Sequence, residues 1–382
     1  MASPVVAVLK TSPEKVLTDY GRLMDLAGYR ETLDPSVDLL VKLNLSWTKY
    51  FPACSSQPWQ LEGVLGKLLQ DGFKRGKIHP VENKTVVTNP LKGAANNRWL
   101  PVLKRFDIPF TPLPSVKWKV HRFKTPLLRL HKIFPDGMEI PEMFVGRSVL
   151  HLPTVKTHGH TTTTGAIKNA FGGLLKEVRH YAHKHIHEVM VDLLLIQREI
   201  HPGIFAVMDG TVAGDGAGPR TMTPHEKNVI LASADQVAID AVAARLMGFD
   251  PLTIPYLRMC HERGLGVADT RDIQVKGADV AGENFGFSVK RSLVIWGDQM
   301  LRRGPLRFLE KIALHSPLVV WAPLASNIYH DMIWYPTVGR SIIRRFSATR
   351  WGRLFDQRYG PGGQATASGQ DSSSVVAPVS GR

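Results

Sequence analysis

The chain has 382 residues, 43% hydrophobic and 21% charged, which supplies material for a large folded core and excludes a wholly disordered or fibrous protein. Its 48 Lys and Arg against 33 Asp and Glu leave a formal charge of +15, which points to anionic partners: phosphates, carboxylates, acidic lipid or nucleic acid. The 2 cysteines, Cys54 and Cys260, exclude a thiolate zinc centre, an iron–sulfur cluster held by this chain alone and a disulfide framework.

The first 36 residues read as a lead-in without a basic region before a long apolar core, so no secretory leader is expected. Val37–Leu45 is an apolar run that predicts a buried strand ending at Asn44. Leu61, Val64, Leu65, Leu68 and Leu69 recur at helical spacing and are closed by Gly72. Lys84–Asn89 reads as the next strand, followed by a loop "PLKGAANN" and a helix near Arg98–Phe106. Pro109–Pro141 is rich in proline and basic residues and carries no clear element pattern. "RSVLHLPTV" reads as strand, Lys156–Gly173 as loop and helix start, and "IHEVMVDLLLIQREI" as an amphipathic helix. "GIFAVMDG" predicts a strand ending in Asp209, and "KNVILASAD" one ending near Asp235. An alanine-rich helix capped by Gly248 and a last strand, "DIQVKG", follow.

This alternation predicts an α/β fold over residues 37–288, a mostly parallel sheet flanked by helices. Ligands of such sheets lie beyond strand C-termini, which marks Asn44, Asn89, Lys156, Asp209 and Asp235 as a ring. Residues 289–360 read as a basic, aromatic-rich helical appendage, and 361–382, low in large apolar residues, as a disordered tail. The apolar stretch Ser316–Ile328 is too short and proline-broken to span a bilayer. The expectation is a cytoplasmic protein, peripheral to the inner face of the membrane.

The segment "KTHGHTTTTGAIKNAFGG" combines lysines, hydroxyls and glycines after a predicted strand. If Gly165 opens a helix, its first N–H groups suit an anion held with Lys156 and Lys168; a solvated turn and helix cap is the alternative. GxxxxGK[ST] is absent, so this is no Walker A loop. His158, His160, His180, His183, His185 and His187 crowd thirty residues without an HExxH spacing. His180, His183 and His187 share one helical face if the helix starts early; a solvated basic helix start is the plainer reading of His180, His183 and His185. "MDGTVAGDGAGPR" reads as a glycine-rich turn in which Asp209 holds a metal or acts as a base, with Asp215 folding back over a ligand; a self-bonded turn is the alternative. Asp235 sits at a helix N-cap, and Asp240, on an apolar helix, needs a partner.

Taken in order, "VKLNLSW", "LPTVKTHGHTTTTGAIKNAFG", "HEVMVDL", "MDGTVAGDGAGP", "ILASADQVAIDAVAARLMGFDP" and "ERGLG" resemble the domain-of-unknown-function 362 family. The family's polar signature falls on Lys42, Asn44, Lys156, His158, Thr164, Lys168, Asn169, His187, Asp192, Asp209, Asp235 and Asp240, with Leu43 where the family prefers proline. Many relatives carry ferredoxin-like cysteine clusters, a role this chain's cysteines do not support. The expected function is an enzyme on a small anionic carboxylate or phosphate, its reaction, redox or metal-assisted, unassigned. In it His158, Lys156 and Asp209 are catalytic, and Lys42, Asn44, Thr164, Gly165, Lys168 and Asn169 bind substrate. A divalent metal is the candidate cofactor, held by His187, Asp192 and Asp209, with Asp235 and Asp240 in support. The alternative is a non-catalytic cofactor- or metal-binding maturation protein. Its basic arm would then dock on a membrane or redox partner, residues 290–359 meeting an acidic membrane surface or acidic protein; nucleic acid is disfavoured because no recognition motif accompanies the charge.

Overall fold

The computed structural model describes residues 3–85, 87–176, 180–290, 297, 300 and 321–361. Its strands are β1 (Val5–Lys10), β2 (Leu39–Lys42), β3 (Ile78–Glu82), β4 (Thr111–Pro112), β5 (Trp118–His121), β6 (Met138–Pro141), β7 (Ser148–His151), β8 (Thr154–His158), β9 (Thr162–Thr163), β10 (Ile204–Ala217), β11 (Thr221–Ser233) and β12 (Gln274–Gly277). The main-domain helices are α1 (Val16–Leu26), α2 (Tyr29–Thr32), α3 (Pro58–Gln70), α4 (Pro90–Asn96), α5 (Trp99–Phe106), α6 (Leu130–Ile133), α7 (Gly165–Leu174), α8 (Ile186–Ile200), α9 (Gln236–Met247) and α10 (Pro255–Glu262).

A ten-stranded sheet runs β12-β1-β11-β10-β7-β2-β3-β4, with β8 and β9 branching from β10. The pairs β10–β7, β7–β2, β2–β3 and β3–β4 are parallel, and β1–β11 and β10–β11 antiparallel. β2 is buried along its whole length, as a parallel strand covered on both faces should be. Successive residues feed opposite cores: Leu40 and Val149 face the side of α7–α10, while Leu39, Val41 and Leu150 face α1, α3 and α5. From β2 the chain moves outward to β3 and β4, then returns to place β7 on the other flank of β2. The order reverses between β2 and β7, which makes their C-terminal ends the crevice of this sheet.

Helix boundaries follow local chemistry. Gln57 and Gln60 form a capping box with Pro58 at the first turn of α3. Asp235 accepts from the N–H groups of Val237 and Ala238 at the start of α9, and Gly248, at φ 100°, closes it.

Several expectations are corrected. Among the described residues of Lys84–Asn89 there is no strand, only an isolated bridge between Thr85 and Thr88; β3 lies just upstream, where Pro80 interrupts the pattern that would have marked it. "PLKGAANN" is largely helical, because Asn89 accepts from the Lys92 N–H and Pro90 stands at the first helical position. Asn89 is therefore a helix cap. "RSVLHLPTV" is split into β7 and β8. β10 runs through to Ala217, so Asp209 lies mid-strand, and the stretch read as a glycine turn is an extended ribbon against β11. Its glycines serve close packing: a Cβ on Gly214 would lie 2.5 Å from Met222 Sδ. Pro109–Pro141 contains β4, α6 and the antiparallel pair β5–β6.

The C-terminal segment is helical over Trp321–Asn327, a π-helical stretch Ile328–Gly339, Arg340–Ser347 and Arg350–Tyr359. Its last two helices are part of the main core: Phe346, Trp351, Phe355 and Tyr359 are buried with α1 and α3. Phe355 stacks on Tyr50 at 4.0 Å, and Trp351 lies 5.1 Å from Trp59. Beyond Pro361, the expected disordered tail falls outside the described residues, as does Trp296.

Candidate anion-binding site

The crevice between β2 and β7 gathers many of the polar residues singled out in the sequence, and most of them bond to one another. Lys42 and His151 are register neighbours at the two strand ends. Lys42 Nζ donates to both Glu82 oxygens at 2.9 Å, a buried ion pair. Asn169, on α7, donates to the Lys42 carbonyl at 2.9 Å and lies 3.3 Å from His151 Nδ1; its carbonyl accepts from Asn44 Nδ2 at 3.3 Å. His151 Nε2 meets Gln197 Oε1 at 2.6 Å, and burial pushes the imidazole down to about 3, so it is neutral. The glycine pair Gly172–Gly173 does permit close approach, but to the Lys42 side chain: a Cβ on Gly173 would sit 3.3 Å from Lys42 Cε.

Lys156 extends this network. It is fully buried, and Nζ donates to Asn44 Oδ1, to the Cys54 carbonyl at 2.8 Å and to Thr154 Oγ1 at 2.7 Å. These three neutral acceptors match its three N–H bonds. Burial, aided by Lys168, pulls its ammonium down to about 7. The loop after β2 closes over it, with Ser56 Oγ donating to the Leu152 carbonyl at 2.6 Å and accepting from the Asn44 N–H at 2.8 Å. Lys156 thus supports the site from behind and does not present its amine to solvent.

Gly165 opens α7 as expected, but the expected open N–H groups are occupied. Asp240 on α9 accepts from Ala166 N–H and, at 3.2 Å, from Ile167 N–H. This is the partner its burial required, although burial still raises its carboxyl to about 7. A Cβ on Gly165, at φ 63°, would meet Asp240 Oδ2 at 2.3 Å, so glycine is needed there for both conformation and space.

The proposed metal residues are not gathered. Asp192 accepts the N–H groups of Leu128, Arg129 and Leu130 at 2.6, 2.8 and 2.8 Å, which orders the loop into α6. Asp209 accepts from Tyr20 at 2.5 Å and Trp59 at 3.0 Å and binds Thr211; burial raises it to about 6. His187 stacks on Tyr256 with ring centroids 6.1 Å apart. No group of three His, Cys, Asp or Glu among the described residues suits a metal ion. Asp235 is the α9 cap and also accepts from Val267 N–H at 3.1 Å.

Further out, past the end of β8, another set converges. His158 lies at the last residue of β8, buried, with His160 5.9 Å from it and His183 5.7 Å from His160. His183 packs edge-on against Phe171 at 5.6 Å, and Lys168 Nζ lies 5.4 Å from the same ring. His158 Nδ1 accepts from the His160 N–H at 3.1 Å, which leaves the ring proton of a neutral imidazole on Nε2. Burial holds His158 well below its ordinary value, and Lys168, His160, His183 and Lys156 push the same way. Thr164, whose N–H donates to the Lys156 carbonyl at 3.1 Å, is buried at 3% exposure, and among the described residues its hydroxyl oxygen has no hydrogen-bond partner.

The sequence pointed to His158, Thr164 and Lys168 but favoured His187 over His183. His183 joins because Ile186 starts α8 only after the 3₁₀ turn His180–His185. His185 faces Glu188 at 3.6 Å, and the side chain of His180 lies outside the described residues. His151 and Glu82 were missed; a polar residue closing an otherwise apolar strand was the available sign.

The family described as "Domain of unknown function (DUF362)" matches residues 39–245, from β2 through most of α9. A thylakoid-associated protein of Synechocystis sp. is 27% identical over 249 residues, 64% of this chain and 73% of that protein. The matched span holds the switch-point network, β8, α7 and the imidazole cluster, and the chain is a member of this domain-of-unknown-function family.

Proposed function

We propose that the chain is an enzyme acting on a small carboxylate or phosphate bound among His158, His160, His183 and Lys168, with His158 handling a proton. The carrying observation is that three imidazoles and a lysine gather past the end of β8, around Phe171. An anion entering this cluster offsets positive charge around His158 and raises its proton affinity, so binding draws a proton onto the ring. Thr164 Oγ1 supplies a neutral hydrogen bond, and Lys156 adds positive potential from behind. Proton transfer at the bound molecule is the chemistry these residues support, and no step is assigned to a metal.

Calorimetry with inorganic phosphate and a panel of small di- and tricarboxylates, in buffers of different ionisation heat, tests this. Binding with proton uptake is expected, weakened about tenfold or more in Lys168→Ala, the scale of one charge-assisted hydrogen bond. Absence of binding across the panel, or equal binding by Lys168→Ala and His158→Gln, would remove the proposal.

A second reading concerns location. No helix among the described residues is long and apolar enough to cross a membrane. The relative's name places that protein at a thylakoid, and an exposed apolar face on residues 324–338 favours peripheral attachment of this chain to a membrane surface.

A further inference from the structure

Ten large apolar side chains are exposed among the described residues, and five fall on one helical stretch: Leu324 (58%), Ile328 (41%), Met332 (70%), Ile333 (53%) and Val338 (45%). Isolated exposed apolar residues are ordinary; half of them within fifteen consecutive residues are not. The stretch is held with this face outward. Trp47 Nε1 donates to Asp331 at 2.6 Å, and Lys49 Nζ donates to the Asp331 carbonyl at 3.1 Å. Ser326 and His330 are buried, and Arg220 donates to Ser326 Oγ at 2.7 Å. Trp334 and Tyr335 pack on Trp47 at 6.1 and 5.1 Å. In the π-helical part a turn spans between four and five residues, which brings exposed Met332 and Ile333 next to Ile328 one turn on.

The next helix presents exposed Arg340, Arg344 and Arg345. Asp331, the one carboxylate between residues 321 and 355, is turned inward to Trp47. Apolar side chains bordered by arginines, with no carboxylate directed outward from residues 324–345, match the boundary between acyl chains and anionic headgroups. A second copy of the chain would bring arginine against arginine across a twofold axis.

We infer that the outward face of residues 324–345 docks on an acidic lipid bilayer, its apolar side chains in the headgroup boundary and its arginines on lipid phosphates. This rests on the peripheral-membrane reading above and names the surface that performs it. The docking face and the imidazole cluster have no residue in common, so each can be substituted by itself.

The test is co-sedimentation of the full chain with phosphatidylcholine vesicles, with and without phosphatidylserine. Wild type is expected to partition onto the phosphatidylserine vesicles. Leu324→Ser/Ile328→Ser/Met332→Ser should lose about tenfold or more of that partitioning with an unchanged melting temperature. Arg340→Gln/Arg344→Gln/Arg345→Gln should erase the preference for anionic lipid. Wild type that ignores both vesicle types overturns the peripheral reading and this surface together. Wild type that binds while the serine variant binds equally overturns this surface alone. A wild-type dimer that the serine substitutions dissociate, with lipid binding unchanged, assigns the face to a second copy.

Discussion

At the amino end of α7 the Asp240 carboxylate takes the N–H groups that the sequence offered to a ligand. A cap drawn from another helix fixes where α7 begins, and α7 carries Lys168 and Asn169. The arrangement has a pH signature. Burial raises the folded-state Asp240 to about 7, from an ordinary 3.8. The folded protein therefore binds more protons than the unfolded chain between those values, and stability from this group is present below 3.8 and lost as pH rises through about 7. Asp240→Asn removes that slope. Urea unfolding at several pH values should show wild type losing stability relative to the variant from about pH 4 to 7. Parallel curves would show that Asp240 does not change its protonation on folding.

Among the elements, the C-terminal helices were expected as an appendage, and their aromatic residues do sit apart in the sequence. Their role in the core was hidden because their partners lie hundreds of residues away. Glu62 on α3 takes Arg358 at 2.9 and 2.7 Å, Tyr359 at 2.5 Å, and Arg105. Burial pushes Glu62 up, yet Arg358 and Tyr359 outweigh it and hold the carboxyl below its ordinary value. Glu62→Ala leaves these donors facing a gap. A loss of about 3–5 kcal/mol, with earlier protease cleavage of residues 340–359, is the expected result in unfolding and limited proteolysis. Unchanged stability and cleavage would mean the helices are only laid on the surface. Elements whose reasons are local were legible: α3 and α9 carry caps, and α3, α8 and α9 all carry apolar residues at helical spacing. β3 was displaced because Pro80 breaks its run, and β10 was cut short because Gly210 and Gly214 resemble a turn.

For the whole molecule, the mostly parallel α/β layout was readable from alternating elements, and the polar segment of the candidate site stood out by its composition. Assigning jobs within that segment was not, because burial and partnership arise only on folding. Lys42 meets Glu82 across 40 residues, Lys156 meets Asn44 across 112 and Asp209 meets Tyr20 across 189. Those bonds hold three of the predicted site residues in internal contacts, and the proposed ligand set is the cluster of His158, His160, His183 and Lys168 past the end of β8. The most direct check is imidazole nitrogen NMR of the full chain during titration with inorganic phosphate and small carboxylates. His158 should begin neutral, protonated on Nε2, and move saturably toward imidazolium with at least one of these anions, a response that Lys168→Ala weakens. A His158 signal that titrates like a solvent-exposed histidine, or that no anion in the series moves, would contradict the account.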